Sequence, residues 1–141
     1  RFLLVRRVMI FIDTGAFVAR YLARDAHHEK ATAIWKELAG KPLATSNHVV
    51  DETLTLLARR AGYSFAAGRA ENIYDSTALE ILYSTREDEL EAIQLFRKYA
   101  DQEVSFTDCI SWVLMARLGI RRAFTFDRHF LLAGVEIIGL P

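Results

Sequence analysis

Val8-Met9-Ile10-Phe11-Ile12 is an unbroken run of five apolar residues that ends in Asp13, Thr14 and Gly15. A run of this length without polar alternation fits a strand covered on both faces, as in a parallel sheet. Asp13 then falls at the carboxyl end of that strand, the edge at which open α/β sheets place their ligands. Asp and Thr are also ordinary caps for a following helix, so one aspartate here decides nothing. What matters is whether the chain brings other carboxylates to the same edge.

The remainder alternates in the required way. Ala16 to Leu22 and His27 to Leu38 have helical spacing, and Gly40 and Pro42 close the second helix. Leu43-Ala44-Thr45 reads as a second strand, after which Ser46 or Asn47 caps a helix that runs to Ala61 and stops at Gly62. Tyr63 to Tyr74 is expected to be helical, and Leu79 to Tyr83 alternates as a third strand. A helix from Arg86 to Tyr99 and an extended Glu103 to Phe106 follow, then a helix capped by Thr107 and stopped at Gly119. Ala123 to Phe126 and Val135 to Ile138 read as the fourth and fifth strands. Such alternation implies right-handed crossovers and a three-layer α/β/α sandwich around a mostly parallel sheet of about five strands. At 141 residues the chain is one domain.

Eighteen basic and eighteen acidic side chains cancel, so no overall basic footprint marks a nucleic-acid binder. Cys109 is the only cysteine, which excludes an internal disulfide and a cysteine-built zinc site; it is expected to pack inside a helix. No apolar stretch approaches the ~20 residues of a membrane span, and a cytoplasmic location is expected. Arg1 to Arg7 followed by the apolar run faintly resembles a signal peptide, but Asp13 interrupts it and no small-residue cleavage site follows.

Three aspartates occupy equivalent places. Asp13 and Asp127 each follow a strand, and Asp108 sits in the first turn of a helix after an extended connection. Strand carboxyl ends and the following helix amino ends share one edge of a parallel sheet. Glu52, one turn into the helix that leaves the second strand, is the fourth candidate; Asp51 points about 100° away from it. Taken singly, each acid could be a cap or a solvated group. Together in one cleft they would repel, and protonation or a divalent cation must relieve that. Oxygen ligands suit Mg²⁺ or Mn²⁺, which can generate hydroxide and stabilise charge on a phosphoryl oxygen.

Phe11-Ile12-Asp13-Thr14, Glu52 within Val49 to Thr53, Ser105-Phe106-Thr107-Asp108 and Thr125-Phe126-Asp127-Arg128-His129-Phe130 appear in that order. In these motifs the chain resembles PIN-domain nucleases, and specifically the VapC-type toxin ribonucleases of toxin–antitoxin pairs. The resemblance covers residues 9–141. It implies strand order 3-2-1-4-5, with Asp13 and Asp127 side by side at the switch point. It also implies that Asp13, Glu52, Asp108 and Asp127 form an acidic quartet binding Mg²⁺ or Mn²⁺, with Thr14, Thr107 and Thr125 as supporting hydroxyls. The implied activity is metal-dependent endoribonuclease cleavage of single-stranded or looped RNA, leaving 5′-phosphates. A small antitoxin partner and a homodimer are implied as well.

Gly15 departs from the family, where serine is common, and Met9 is the usual family start. Arg1 to Val8 are therefore read as an upstream extension or an expression remnant. Arg128 and His48 are expected near the cleft, whereas His27 and His28 read as surface residues and Trp35 and Trp112 as core. Four alternatives stand against this reading. A receiver-domain regulator needs an early acidic pair and a later lysine, and the only lysine after Lys41 is Lys98, in a helix pattern. A haloacid-dehalogenase-type phosphatase needs a second acid where Gly15 stands. A metal-free ribonuclease would work through two imidazoles. The last is a PIN-type RNA-binding or regulatory domain without catalysis, against which all four acids are present.

Overall fold

The computed structural model describes residues 8–140, so the segment 1–7 of the expected extension lies outside the described residues. The strands are β1 (Ile10–Ile12), β2 (Leu43–Ser46), β3 (Leu79–Leu82), β4 (Arg122–Phe124) and β5 (Glu136–Ile138). All pair in parallel in the order β3-β2-β1-β4-β5. The described residues form six α-helices: α1 (Thr14–Tyr21), α2 (His28–Glu37), α3 (Asn47–Ala61), α4 (Tyr63–Asp75), α5 (Arg86–Lys98) and α6 (Phe106–Leu118). Two 3₁₀ turns, Ala100–Gln102 and Arg128–Ala133, complete the order. Because the order reverses direction after β3, right-handed crossovers put α1 to α4 on one face and α5 and α6 on the other. This is the expected three-layer sandwich.

The central strand behaves as its composition demands. Ile10, Phe11 and Ile12 are completely buried, flanked by β2 and β4 and covered by helices on both faces. Burying such side chains contributes about 1.5–3 kcal/mol each, so an apolar run at this position is the main anchor of the sheet. Phe17 and Trp35 pack with Phe124 on one face; Trp112 meets Tyr99 and Phe130 edge-on. Trp112 is thus a core residue, as is Cys109, whereas Trp35 is only partly buried and packs against the core from its edge.

The opening strand is shorter than the apolar run, since Val8 is exposed and Met9 precedes the strand. Three boundaries nearer the site also differ from the sequence reading. The cap of α6 is Ser105, whose Oγ accepts the Asp108 N–H at 3.0 Å, so Thr107 is a second-position helical residue and not the cap. At α1 the backbone of Asp13 occupies the cap position and Thr14 is already helical. The fourth strand ends at Phe124, although the Thr125 N–H still donates to the Ile138 carbonyl at 3.0 Å. That bond draws Gly139 against Thr125: a Cβ at Gly139, where φ is +122°, would stand 2.5 Å from the Thr125 carbonyl oxygen. Only glycine fits there.

Candidate active site

Four elements deliver the acids to the carboxyl edge of the sheet. The Asp13 N–H donates to the Phe124 carbonyl at 3.1 Å, and the Asp13 carbonyl accepts the Ala16 N–H at 3.1 Å. The backbone thereby ends β1 and starts α1, and the Asp13 side chain takes no part in capping. Its Oδ2 instead accepts a 2.7 Å hydrogen bond from the Thr125 hydroxyl, and the Thr125 Oγ in turn accepts the Asp127 N–H at 3.0 Å. One threonine therefore holds the ends of β1 and β4 together at the switch point. Asp127 Oδ1 accepts the His129 N–H at 2.9 Å and lies 2.9 Å from His129 Nδ1.

Asp108 enters from the first turn of α6 and Glu52 from the second turn of α3. Asp13, Thr14, Glu52, Asp108 and Asp127 line one cavity of about 500 Å³. Ser105, Phe126, His129, Asp25 and Arg60 also border it.

Electrostatics follow from that convergence. Burial, with the Asp127 and Glu52 charges added, pushes the Asp13 carboxyl up to about 6 against the opposing bonds from Thr125 and the Thr14 backbone. Burial and then the charges of Asp13, Asp127 and Glu52 push Asp108 up to about 8, against the Ser105 bond. The two titrate together, so a cavity without a cation holds a proton at neutral pH, chiefly on Asp108.

Two observations fit a divalent cation. Asp108, Asp127 and His129 each offer a ligand atom within 4.8 Å of the others. The Thr14 Oγ1, beside Asp13 at the cavity wall, is buried without a hydrogen-bond partner. A buried hydroxyl rarely stays unpaired, and a cation's coordinated water could satisfy it.

Not every expected residue is there. Thr107 does not border the cavity; its carbonyl accepts the Ser111 hydroxyl along α6, and Ser105 takes the cavity position. The reason is the two-residue shift in the cap from Thr107 to Ser105. His48 is turned away, its Nε2 lying 2.9 Å from Ser84 Oγ, which donates to Glu89. Arg128 is exposed and outside the cavity lining, because the 3₁₀ turn it opens directs His129 inward instead. The basic side chains bordering the cavity are Arg60 and His129.

Arg60 was legible in principle: Glu52, Leu56 and Arg60 are spaced four apart and share a helix face. Its nearest carboxylate is Asp25, at 3.9 Å. His27 is exposed, as expected, yet its ring stacks on Phe126 with centroids 4.3 Å apart. Gly15 needs no special conformation, and a Cβ there would meet only the Phe126 ring at 3.9 Å.

The PIN domain family model matches residues 10–135. The 23S rRNA-specific endonuclease VapC20 of Mycobacterium tuberculosis is 40% identical over 132 residues, covering 92% of this chain and 98% of the relative. A VapC ribonuclease of Archaeoglobus fulgidus is 34% identical over 126 residues, covering 86% and 78%. The crystal structure of the M. tuberculosis VapC20, described as a sarcin–ricin-loop-cleaving toxin, superposes with a TM-score of 0.83 at 36% identity. That match covers 89% of this chain and 95% of the other. The chain belongs to the PIN-domain family. Its relatives named above are VapC ribonucleases.

Proposed function

We propose that this protein is a metal-dependent endoribonuclease and the toxin of a type II toxin–antitoxin pair. The observation that carries the proposal is the meeting of Asp13, Glu52, Asp108 and Asp127 in one cavity at the switch point of this fold. Asp13, Asp108, Asp127 and Glu52 would hold Mg²⁺ or Mn²⁺. When bound, that cation supplies an activated water and charge stabilisation at the phosphoryl oxygen.

The chain's own groups do the rest. Thr125 fixes the Asp13 carboxylate through the 2.7 Å bond and the start of the Asp127 loop through the other. Ser105 fixes the turn that presents Asp108. Arg60, held only loosely to Asp25, is placed to donate to a phosphate entering the cavity. Water oxygen bonds to phosphorus, the bond from phosphorus to O3′ breaks, and the 3′ oxygen takes up a proton. A 5′-phosphate and a 3′-hydroxyl result.

The relatives suggest what is cut. A structured ribosomal loop of the sarcin–ricin kind in 23S rRNA is the RNA to test first, given the 40% identity to VapC20. A small antitoxin that blocks the cavity, a homodimer and a cytoplasmic location complete the proposal. Among the described residues no helix is long and apolar enough to cross a membrane.

Purified protein is expected to cut such a loop with Mn²⁺, to stop on addition of EDTA, and to leave 5′-phosphates. A route through two imidazoles would survive EDTA and leave cyclic phosphates. Only one histidine, His129, borders the cavity, which disfavours that route. Full activity of a folded Asp13→Asn protein would defeat the proposal.

A further inference from the structure

The catalytic cavity is acidic, whereas the RNA on either side of a scissile bond carries a charge at every phosphate. The flanking strand therefore needs cations outside the cleft. One further recess adjoins it, and another lies beyond that one. Asp25 and Arg60 border both the catalytic cavity and a neighbouring recess that reaches Phe65. Tyr21 borders that recess and also a third one, of about 580 Å³, between α1, α2, α4 and the starts of β2 and β3. Asp25 and Arg60, then Tyr21, thus link the cleft stepwise to the third recess, which lies at the far end of α1, a helix of about 12 Å.

The third recess is built for an anion. Arg20 and Arg69 line it, and no carboxylate does. Among the described residues neither arginine has an acidic partner within 4.0 Å. Both guanidiniums lie over aromatic rings: Arg20 is 4.4 Å from the Trp35 centroid, and Arg69 is 4.6 Å from that of Phe65. Tyr21 lies between them, at 5.5 Å from Arg20 and 5.6 Å from Arg69. Rings that hold a guanidinium by its face leave its N–H edge free to donate. Arg69 Nε is in addition buried with no hydrogen-bond partner. An unpaired buried donor beside an open recess marks a place where an acceptor oxygen would be bound.

We propose that Arg20 and Arg69 form a second RNA contact, gripping backbone phosphates of the strand that leaves the catalytic cleft past Arg60. The contact rests on the endoribonuclease reading and extends it to the flanking strand. Because arginines already occupy the ring faces, it reads phosphate and not base. RNA is favoured over an acidic protein segment because shared residues, Asp25 and Arg60 and then Tyr21, step from the cavity where the scissile bond must sit to this recess.

The test is binding in EDTA, where catalysis is off, to single-stranded RNAs of about six and about sixteen nucleotides over a salt series. The wild type is expected to prefer the longer RNA. An Arg20→Gln/Arg69→Gln protein should lose about tenfold in affinity for the longer RNA. Its log–log salt slope should fall by about 1.4, or ~0.7 per phosphate contact, with little change on the shorter RNA. Arg20→Lys/Arg69→Lys should restore the slope.

An unchanged slope and affinity in the glutamine variant would overturn the contact, as would equal losses on both RNAs. So would normal RNA binding with lost affinity for an acidic protein partner. If the glutamine variant fails to fold, ultraviolet cross-linking of wild type to thiouridine-substituted RNA decides. Adducts at Tyr21 or Trp35 support the contact, and adducts confined to the catalytic cavity overturn it. Wild-type cleavage of the same RNAs with Mn²⁺ separates the two claims. No cleavage with the slope change counts against the nuclease alone; cleavage without it counts against the contact alone.

Discussion

Thr125 is the residue on which the geometry of the site turns, because its single hydroxyl serves the side chain of Asp13 and the backbone of Asp127 at once. Thr125→Val removes both bonds at nearly constant shape. Cleavage is expected to fall about 10–100-fold, as for other groups that orient metal ligands, with the fold retained by circular dichroism. Asp108→Asn should abolish cleavage, yet in EDTA it should raise the melting temperature at pH 8. Burial and neighbouring charge disfavour the ionised Asp108, and the amide carries no charge.

The same shifts set a pH dependence. Asp13 at about 6 and Asp108 at about 8 bind more protons in the folded protein than at their ordinary value near 4 in the unfolded chain. Stability in EDTA must therefore fall as pH rises from about 4 to about 8, and thermal melts across that window measure it. Saturating Mn²⁺ should flatten or reverse the trend, because a cation favours the ionised carboxylates.

At the scale of elements, α5 and α6 are tied by one pair the sequence reading did not identify. Thr85 and Asp88 form a reciprocal capping box at the start of α5, and both carboxylate oxygens of Asp88 also accept from the Arg117 guanidinium near the end of α6. Burial alone would raise the Asp88 carboxyl. The bonds from Thr85 and Arg117 outweigh that and hold it below its usual value. Its contribution is thus present above pH ~4 and lost as pH falls through the folded value. Asp88→Ala is expected to cost about 1–3 kcal/mol in denaturant melts, most of it from the lost cap and the lost bonds from Arg117.

Helix ends were the least legible feature because several hydroxyls compete at each. In Ser105-Phe106-Thr107-Asp108 either hydroxyl could cap, and Ser105 wins because its three-residue spacing reaches the Asp108 N–H. That one choice moved Thr107 off the cavity and brought Ser105 onto it. His48 was misplaced for a similar reason. A partner 36 residues away, Ser84, claims its ring, and helical spacing alone cannot register it.

At the scale of the whole molecule, the parallel sheet was legible from the unbroken apolar run at Ile10–Ile12 and from the strand–helix alternation. The strand order came from the motifs that carry the family resemblance. What alternation alone leaves open is which strands neighbour β1, and hence whether Asp13 and Asp127 meet. The order β3-β2-β1-β4-β5 puts β4 beside β1 and closes that question. Gly139 marks a constraint visible only in three dimensions. Gly139→Ala is expected to displace Thr125, lowering both the melting temperature and the cleavage rate, since the added carbon collides with the Thr125 carbonyl.

The central proposal is that four carboxylates from four elements together hold Mg²⁺ or Mn²⁺. A crystal structure grown with Mn²⁺ and phased on its anomalous signal tests it most directly. The expected result is a peak inside the cavity, coordinated by oxygens of Asp13 and Asp108, with Asp127 and Glu52 bound directly or through water. A fully formed cavity with no Mn²⁺ peak among those carboxylates, at a concentration that supports activity, would contradict it.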